Sequence, residues 1–190
     1  GFTNSGQGLS KRRLVVPTTW LTLGAMTGVP VFRSGRRGVF STILFVSLAS
    51  GVMTSPDGVN WTLRTAASSS GWWSVTYGNG AYVAVAFSGT NRVMSSPDGI
   101  NWTARSTPAG AASNRWFGVT YGNGLFVAVG DSGTGNRVMT SPDGISWTLR
   151  TTPSSGNQWN SIAYGNGLYV VVSRNSDKIM TSSDGINWTL

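Results

Sequence analysis

Between Trp116 and Arg150 the apolar residues fall into short runs separated by polar ones, and no run has helical spacing. Phe117-Gly-Val-Thr-Tyr121 alternates large and small side chains, as a strand does. Gly122-Asn123-Gly124 follows. Asn-Gly between apolar runs predicts a type I′ hairpin, because both central residues of that turn need positive φ. Leu125-Phe-Val-Ala-Val129 is apolar throughout and predicts a strand covered on both faces, whereas Asp131–Asn136 predicts a polar loop. Arg137–Thr140 then predicts a third strand, Ser141-Pro-Asp-Gly144 a turn and Ser146–Leu149 a fourth strand. In that turn Pro fixes φ, Asp bonds nearby amides and Gly takes the left-handed position. Four antiparallel strands in about 40–45 residues make one blade of a β-propeller.

The pattern recurs. Ser-Pro-Asp-Gly-Val-Asn-Trp (55–61), Ser-Pro-Asp-Gly-Ile-Asn-Trp (96–102), Ser-Pro-Asp-Gly-Ile-Ser-Trp (141–147) and Ser-Ser-Asp-Gly-Ile-Asn-Trp (182–188) place Trp61, Trp102, Trp147 and Trp188 at spacings of 41, 45 and 41 residues. Trp20 lies 41 residues before Trp61. Trp72, Trp116 and Trp159 each stand five residues before a Tyr, and Gly-Asn-Gly recurs at 78–80, 122–124 and 165–167. A unit that cannot bury its apolar face alone must stack on copies of itself. The fold class expected is therefore all-β, a propeller of about four to five blades, incomplete or completed by another chain. Its divisions would be an N-terminal segment 1–23 (a partial blade or cap), a degenerate blade 24–65, and blades 66–106, 107–151 and 152–190. The degenerate copy lacks the Trp, the Tyr and the Gly-Asn-Gly. Val39–Ala49 looks like the apolar part of a signal peptide, but Leu44–Leu48 overlies Leu125–Val129 and reads as a core strand; it is too short to span a membrane.

Composition narrows the chemistry. The chain has no Cys, so no disulfide framework and no thiolate metal site. It also has no His and no Glu, and four of its six Asp belong to the repeated phrase, one per turn. General acid–base and nucleophilic designs draw on His, Glu or close carboxylate pairs, so the inventory predicts that the chain is not an enzyme. A single carboxylate per turn falls far short of the six to eight oxygens of a Ca²⁺ site, so neither metal nor cofactor is expected. The net charge is +8, and residues 1–56 carry six cations and no acid. Such asymmetry suits an anionic partner.

The phrase Ser-x-Asp-Gly-x-x-Trp resembles the Asp-box, or BNR repeat, of sialidase-like, sortilin-like and photosystem-assembly-factor-like propellers. It is shortened by one residue between Asp and Gly. The resemblance covers about residues 51–190 and implies structural roles for Ser55, Asp57 and Trp61; Ser96, Asp98 and Trp102; Ser141, Asp143 and Trp147; and Ser182, Asp184 and Trp188. In each set Ser and Asp would tie the turn and Trp would pack between strands. Sialidase activity does not follow from the resemblance.

Two further sets repeat with the blade. Arg92, Arg137 and Lys178 precede third strands, and Arg64, Arg105 and Arg150 end fourth strands, so both sets should lie at the end opposite the Ser-x-Asp-Gly turns and are candidate anion-binding cations. Trp72, Trp116 and Trp159, with Trp73, stand at the start of the innermost strands and are candidate sugar-stacking residues. The function expected is ligand binding or adhesion, with carbohydrate favoured. The alternatives are a docking module of a virion or cell-surface assembly, or binding of nucleic acid or another polyanion through the basic rings and Lys11–Arg13, Arg33 and Arg36-Arg37.

Overall fold

Short antiparallel strands joined by tight turns account for all the regular structure in the computed structural model, which describes residues 45–48 and 51–190. The expectations placed on Trp20, residues 1–23, Lys11–Arg13, Arg33 and Arg36-Arg37 lie outside the described residues. The first sheet holds β1 (Phe45–Leu48), β2 (Val52–Ser55) and β3 (Thr62–Arg64). The second holds β4 (Gly71–Gly78), β5 (Ala81–Ser88), β6 (Val93–Ser96) and β7 (Thr103–Arg105). The third holds β8 (Trp116–Gly122), β9 (Leu125–Gly130), β10 (Val138–Ser141) and β11 (Thr148–Arg150). The fourth holds β12 (Trp159–Gly165), β13 (Leu168–Ser173) and β14 (Ile179–Ser182), with Thr189 bridging Thr181 where a fourth strand would run. Within each sheet the strands lie in chain order. Across sheets β8 sits between β4 and β12, so the first strands of the blades are innermost. This is propeller architecture. Phe45 opposes Ser55 as Phe126 opposes Ser141, which makes β1 the second strand of its blade, as the overlay on Leu125–Val129 predicts.

The hairpins between first and second strands are the expected type I′ turns. Asn79, Asn123 and Asn166 have φ of 46°, 45° and 49°, and the following glycines lie at 77°, 79° and 78°. Asn79 Nδ2 donates to Pro142 O at 3.2 Å and Asn123 Nδ2 to Ser183 O at 3.4 Å, so these two hairpins also tie their blades to the third-to-fourth-strand turn of the next.

Those turns are closed from within. Ser96 Oγ accepts the Gly99 N–H and donates to Asp98 Oδ1, at 2.8 and 2.9 Å. Asp98 Oδ1 accepts the N–H groups of Ile100 and Asn101, both at 2.8 Å, and Asn101 Nδ2 donates to Asp98 Oδ2 at 2.8 Å. The Trp102 indole then donates to Gly99 O. The copies at 55–61 and 182–188 repeat this set, whereas at 141–147 Ser146 replaces the amide-bearing Asn and the Trp147 indole makes no such bond. These backbone donors hold the Asp57, Asp98, Asp143 and Asp184 carboxyls well below the usual carboxylate range. A pKa depressed in the folded state stabilises the fold above the unfolded value and ceases to do so as pH falls toward the folded one. Tm is accordingly expected to be level from about pH 8 to 5 and to drop below about pH 4. Thermal melts followed by tryptophan fluorescence check this; a flat profile down to about pH 2 would show that the turn bonds contribute nothing.

The core lies between blades, and one joint is used three times. Val46, Leu48 and Val52 pack against Trp72, Tyr82, Ala84 and Met94. Val83, Val85 and Val93 meet Trp116, Phe126, Ala128 and Met139 in the same way, and Val127, Val129 and Val138 meet Trp159, Tyr169, Val171 and Met180. Glycine makes the fit possible at the hairpin end. A Cβ on Gly78 would lie 2.0 Å from the Tyr121 ring, and one on Gly122 would lie 2.2 Å from the Tyr164 ring.

Candidate functional site

The innermost tryptophans belong to the joints. Trp116 and Trp159 are completely buried and Trp72 nearly so. The expectation that they stack on sugars is corrected: the second strand of the preceding blade covers them, and their rings present no face to solvent. Trp73 behaves differently, at 38% exposed.

A bulge causes the difference. Trp72 opposes Ala86 and Ser74 opposes Val85, which leaves Trp73 unpaired; Phe117 and Asn160 are skipped in the same way in β8 and β12. A bulged residue leaves the ladder and its side chain is re-aimed. In this chain it is also where the blades cease to match: Trp73, Phe117 and Asn160 share one position, Gly71, Arg115 and Gln158 a second, and Phe87, Asp131 and Arg174 a third. What the blade itself needs repeats, while these positions diverge, and they come together at one end of the inner strands.

There Trp73 meets Phe87 and Phe117 edge-on, with centroids 5.6 and 5.5 Å away, and Phe87 stacks on Phe117. The Arg174 guanidinium lies over the Phe117 ring at 5.3 Å. Asp131 is the hub. Its fully buried carboxylate takes a forked pair from Arg115, Nε to Oδ1 at 2.8 Å and Nη2 to Oδ2 at 3.0 Å, and a further contact from Arg174 Nη2 at 2.7 Å. Arg174 Nε is held by Gln158 Oε1. Both arginine side chains remain more than two-fifths exposed. Two cations on one carboxylate leave a net positive charge beside an open indole.

The surrounding field has the same sign. Every Lys and Arg among the described residues lies at this end of its strand. Arg64, Arg105 and Arg150 close fourth strands, Arg92, Arg137 and Lys178 precede third strands, Arg115 precedes β8 and Arg174 follows β13. Asp57, Asp98, Asp143 and Asp184 lie at the opposite end. This is the division that strand polarity predicts.

The six expected anion-binding cations nonetheless have different surroundings. Arg92 Nη1 donates to Ser113 O and Asn114 O at 2.6 and 2.7 Å, and Arg137 Nη1 donates to Asn157 O. Their guanidiniums fasten each blade to the loop leading into the next, so the free anion-binding role expected of them is corrected. Burial and the nearby Arg115 charge lower the Arg92 pKa from its usual value. Arg64, Arg105 and Arg150 have Nε fixed by Thr54, Ser95 and Thr140 hydroxyls at 2.9, 2.8 and 2.9 Å. Arg64 and Arg150 border open grooves of about 430 and 440 Å³, where the outer strand of one blade meets the Asn-Trp pair of the next (Asn101-Trp102 and Asn187-Trp188). Lys178 is exposed. Among the described residues no cluster of His, Cys, Asp or Glu has the make-up of a metal site.

Reading for what repeats finds the scaffold and passes over Arg115, Asp131, Arg174 and Phe87. Their signal lies in the differences between aligned copies.

The model of the DUF6242 beta propeller domain matches residues 96–190. No curated protein matches the sequence. Among solved structures, virginiamycin B lyase from Staphylococcus aureus is 15% identical at a TM-score of 0.69, over 88% of this chain and 55% of the lyase. YCF48 bound to D1 peptide is 22% identical at a TM-score of 0.51, over 63% of this chain and 39% of YCF48. A GH74 enzyme of Niastella koreensis is 18% identical at 0.57, over 77% of this chain and 27% of that one. The chain thus spans about two-fifths to just over half the length of the first two. At these identities the likeness is one of fold. It corrects the expectation that the chain is not an enzyme: solved structures with this architecture include a lyase and a GH74 enzyme, so the absence of His, Glu and Cys does not decide the matter. Among the described residues no helix is long and apolar enough to cross a membrane. Since the family's model covers residues 96–190, half of the sequence, the chain belongs to the DUF6242 β-propeller domain family.

Proposed function

We propose that this chain is a ligand-binding propeller of the Asp-box type that takes an acidic carbohydrate at the cationic end of its inner strands. The observation that carries the reading is the divergent cluster itself, an exposed Trp73 indole beside Arg115 and Arg174 on a single buried carboxylate. A sugar ring stacks its C–H face on an indole, and a uronate or sulfate group pairs with guanidinium. The Ser-x-Asp-Gly turns, closed on themselves at the other end, supply the scaffold.

A glycan array carrying neutral, uronate-bearing, sialylated and sulfated sugars, read at two salt concentrations, tests this. Binding to uronate or sulfated sugars that survives moderate salt is the expected result. Trp73→Ala is expected to weaken it by roughly two- to tenfold, on the scale of about 0.5–1.5 kcal/mol for a lost stacking contact, with Tm nearly unchanged. Binding that disappears with salt and ignores Trp73→Ala would instead identify a general polyanion surface. Absence of binding to every sugar would favour a docking module.

A further inference from the structure

The last described blade carries half of a joint that has no partner among the described residues. Val170, Val172 and Ile179 occupy the positions of Val127, Val129 and Val138, which are completely buried by the following blade. In the fourth blade the three are 37%, 41% and 52% exposed. Two further observations mark the same face. Gly165 occupies the position of Gly78 and Gly122, whose missing Cβ admits the next blade's tyrosine, yet a Cβ on Gly165 would meet nothing within 4 Å. Lys178 occupies the position of Arg92 and Arg137, whose guanidiniums fasten the next blade, and its own side chain has no partner among the described residues. The face is built for a blade and the four described blades do not provide one.

The complementary half is at the other end. Phe45, Met53 and Trp61 stand where Tyr169, Met180 and Trp188 stand in the fourth blade, the residues that fill the third joint. They are only partly buried. In the internal joint, Val127 Cγ2 comes within 3.0 Å of a Cβ placed on Gly185, the turn glycine of the following blade. Gly58 is the corresponding glycine in the first blade.

We infer that two copies of this chain associate head to tail, the Val170-Val172-Ile179 face of each receiving the Phe45-Met53-Trp61 face of the other, so that both open joints close. Each contact repeats an interface that the chain already forms three times within itself. The arrangement is symmetric and leaves no free half-joint among the described blades, as closed assemblies require.

Sedimentation equilibrium of the full chain at tens of micromolar is expected to give twice the chain mass of 20.0 kDa. Val170→Asp and Met53→Asp, each alone, are expected to give one-chain mass, since either change spoils both joints of the pair. Ile179→Asp serves if Val170→Asp fails to fold by circular dichroism. Mixing the Val170→Asp and Met53→Asp proteins leaves one joint with both halves intact and is expected to restore two-chain mass. A one-chain mass for the wild type, an unchanged mass for the folded variants, or a mixture that stays at one-chain mass would each overturn the inference. Sugar binding is read separately through Trp73, so failure of either proposal is distinguishable from failure of the other.

Discussion

Trp116→Ala is expected to destabilise the chain by about 3–5 kcal/mol, the range for removing a buried aromatic from a packed core. The ring is completely buried and packs between the second and third blades against Val83, Val85 and Val93. The space is slow to collapse, because Val83, Val85, Val93, Phe126, Ala128 and Met139 around it are fixed on strands in register. With marginal stability of about 5–15 kcal/mol for a domain, such a loss is a large fraction of the whole. The contrast is Trp73→Ala, which removes an indole of equal size and is expected to leave stability within about 1 kcal/mol. Chemical denaturation of the two variants side by side decides the assignment. A Trp116→Ala protein as stable as wild type would mean that the joint is not the core.

Gly122→Ala carries the second large effect. The added methyl would sit 2.2 Å from Tyr164 Cγ, with further ring atoms at 2.3 and 2.6 Å, and turning the ring about its Cβ–Cγ bond leaves Cγ where it is. The blade interface must open, at a cost of about 1–3 kcal/mol, the range for overpacking. Measured in the Val170→Asp protein, which is expected to stay a single chain, Gly165→Ala makes the same chemical change at the same position of the next blade, where nothing lies within 4 Å, and is expected to alter stability by no more than about 0.5 kcal/mol. Thermal unfolding of the pair reports on whether a blade follows. Equal losses at both positions would remove the packing argument.

These contrasts show what the sequence makes legible and what it does not. Strand order, hairpin type and the closing bonds of the Ser-x-Asp-Gly turns follow from local rules, since Asn-Gly demands positive φ and an Asp in a turn finds amides two and three residues on. The polarity of the strands places every described cation at one end. Burial does not follow from local rules, because Trp72 and Trp73 are neighbours of one type and only the bulge between them separates core from surface. The fate of Arg92 and Arg137 depends on carbonyls about twenty residues downstream, which only the stacking of blades brings within reach. Asp131 reads as a loop residue until β9 and β13 set it beside both Arg115 and Arg174. The repeat specified the scaffold, and the departures from it assembled the candidate site.

The central claim is that one end of the blades is scaffold and the other binds. The indole N–H signals of the tryptophans test it directly when followed by NMR during titration with a uronate oligosaccharide. Trp73 is expected to shift with added sugar, while Trp61, Trp102, Trp147 and Trp188 at the turn end stay in place. Shifts at those four with Trp73 unmoved would place the ligand on the opposite end and contradict the account.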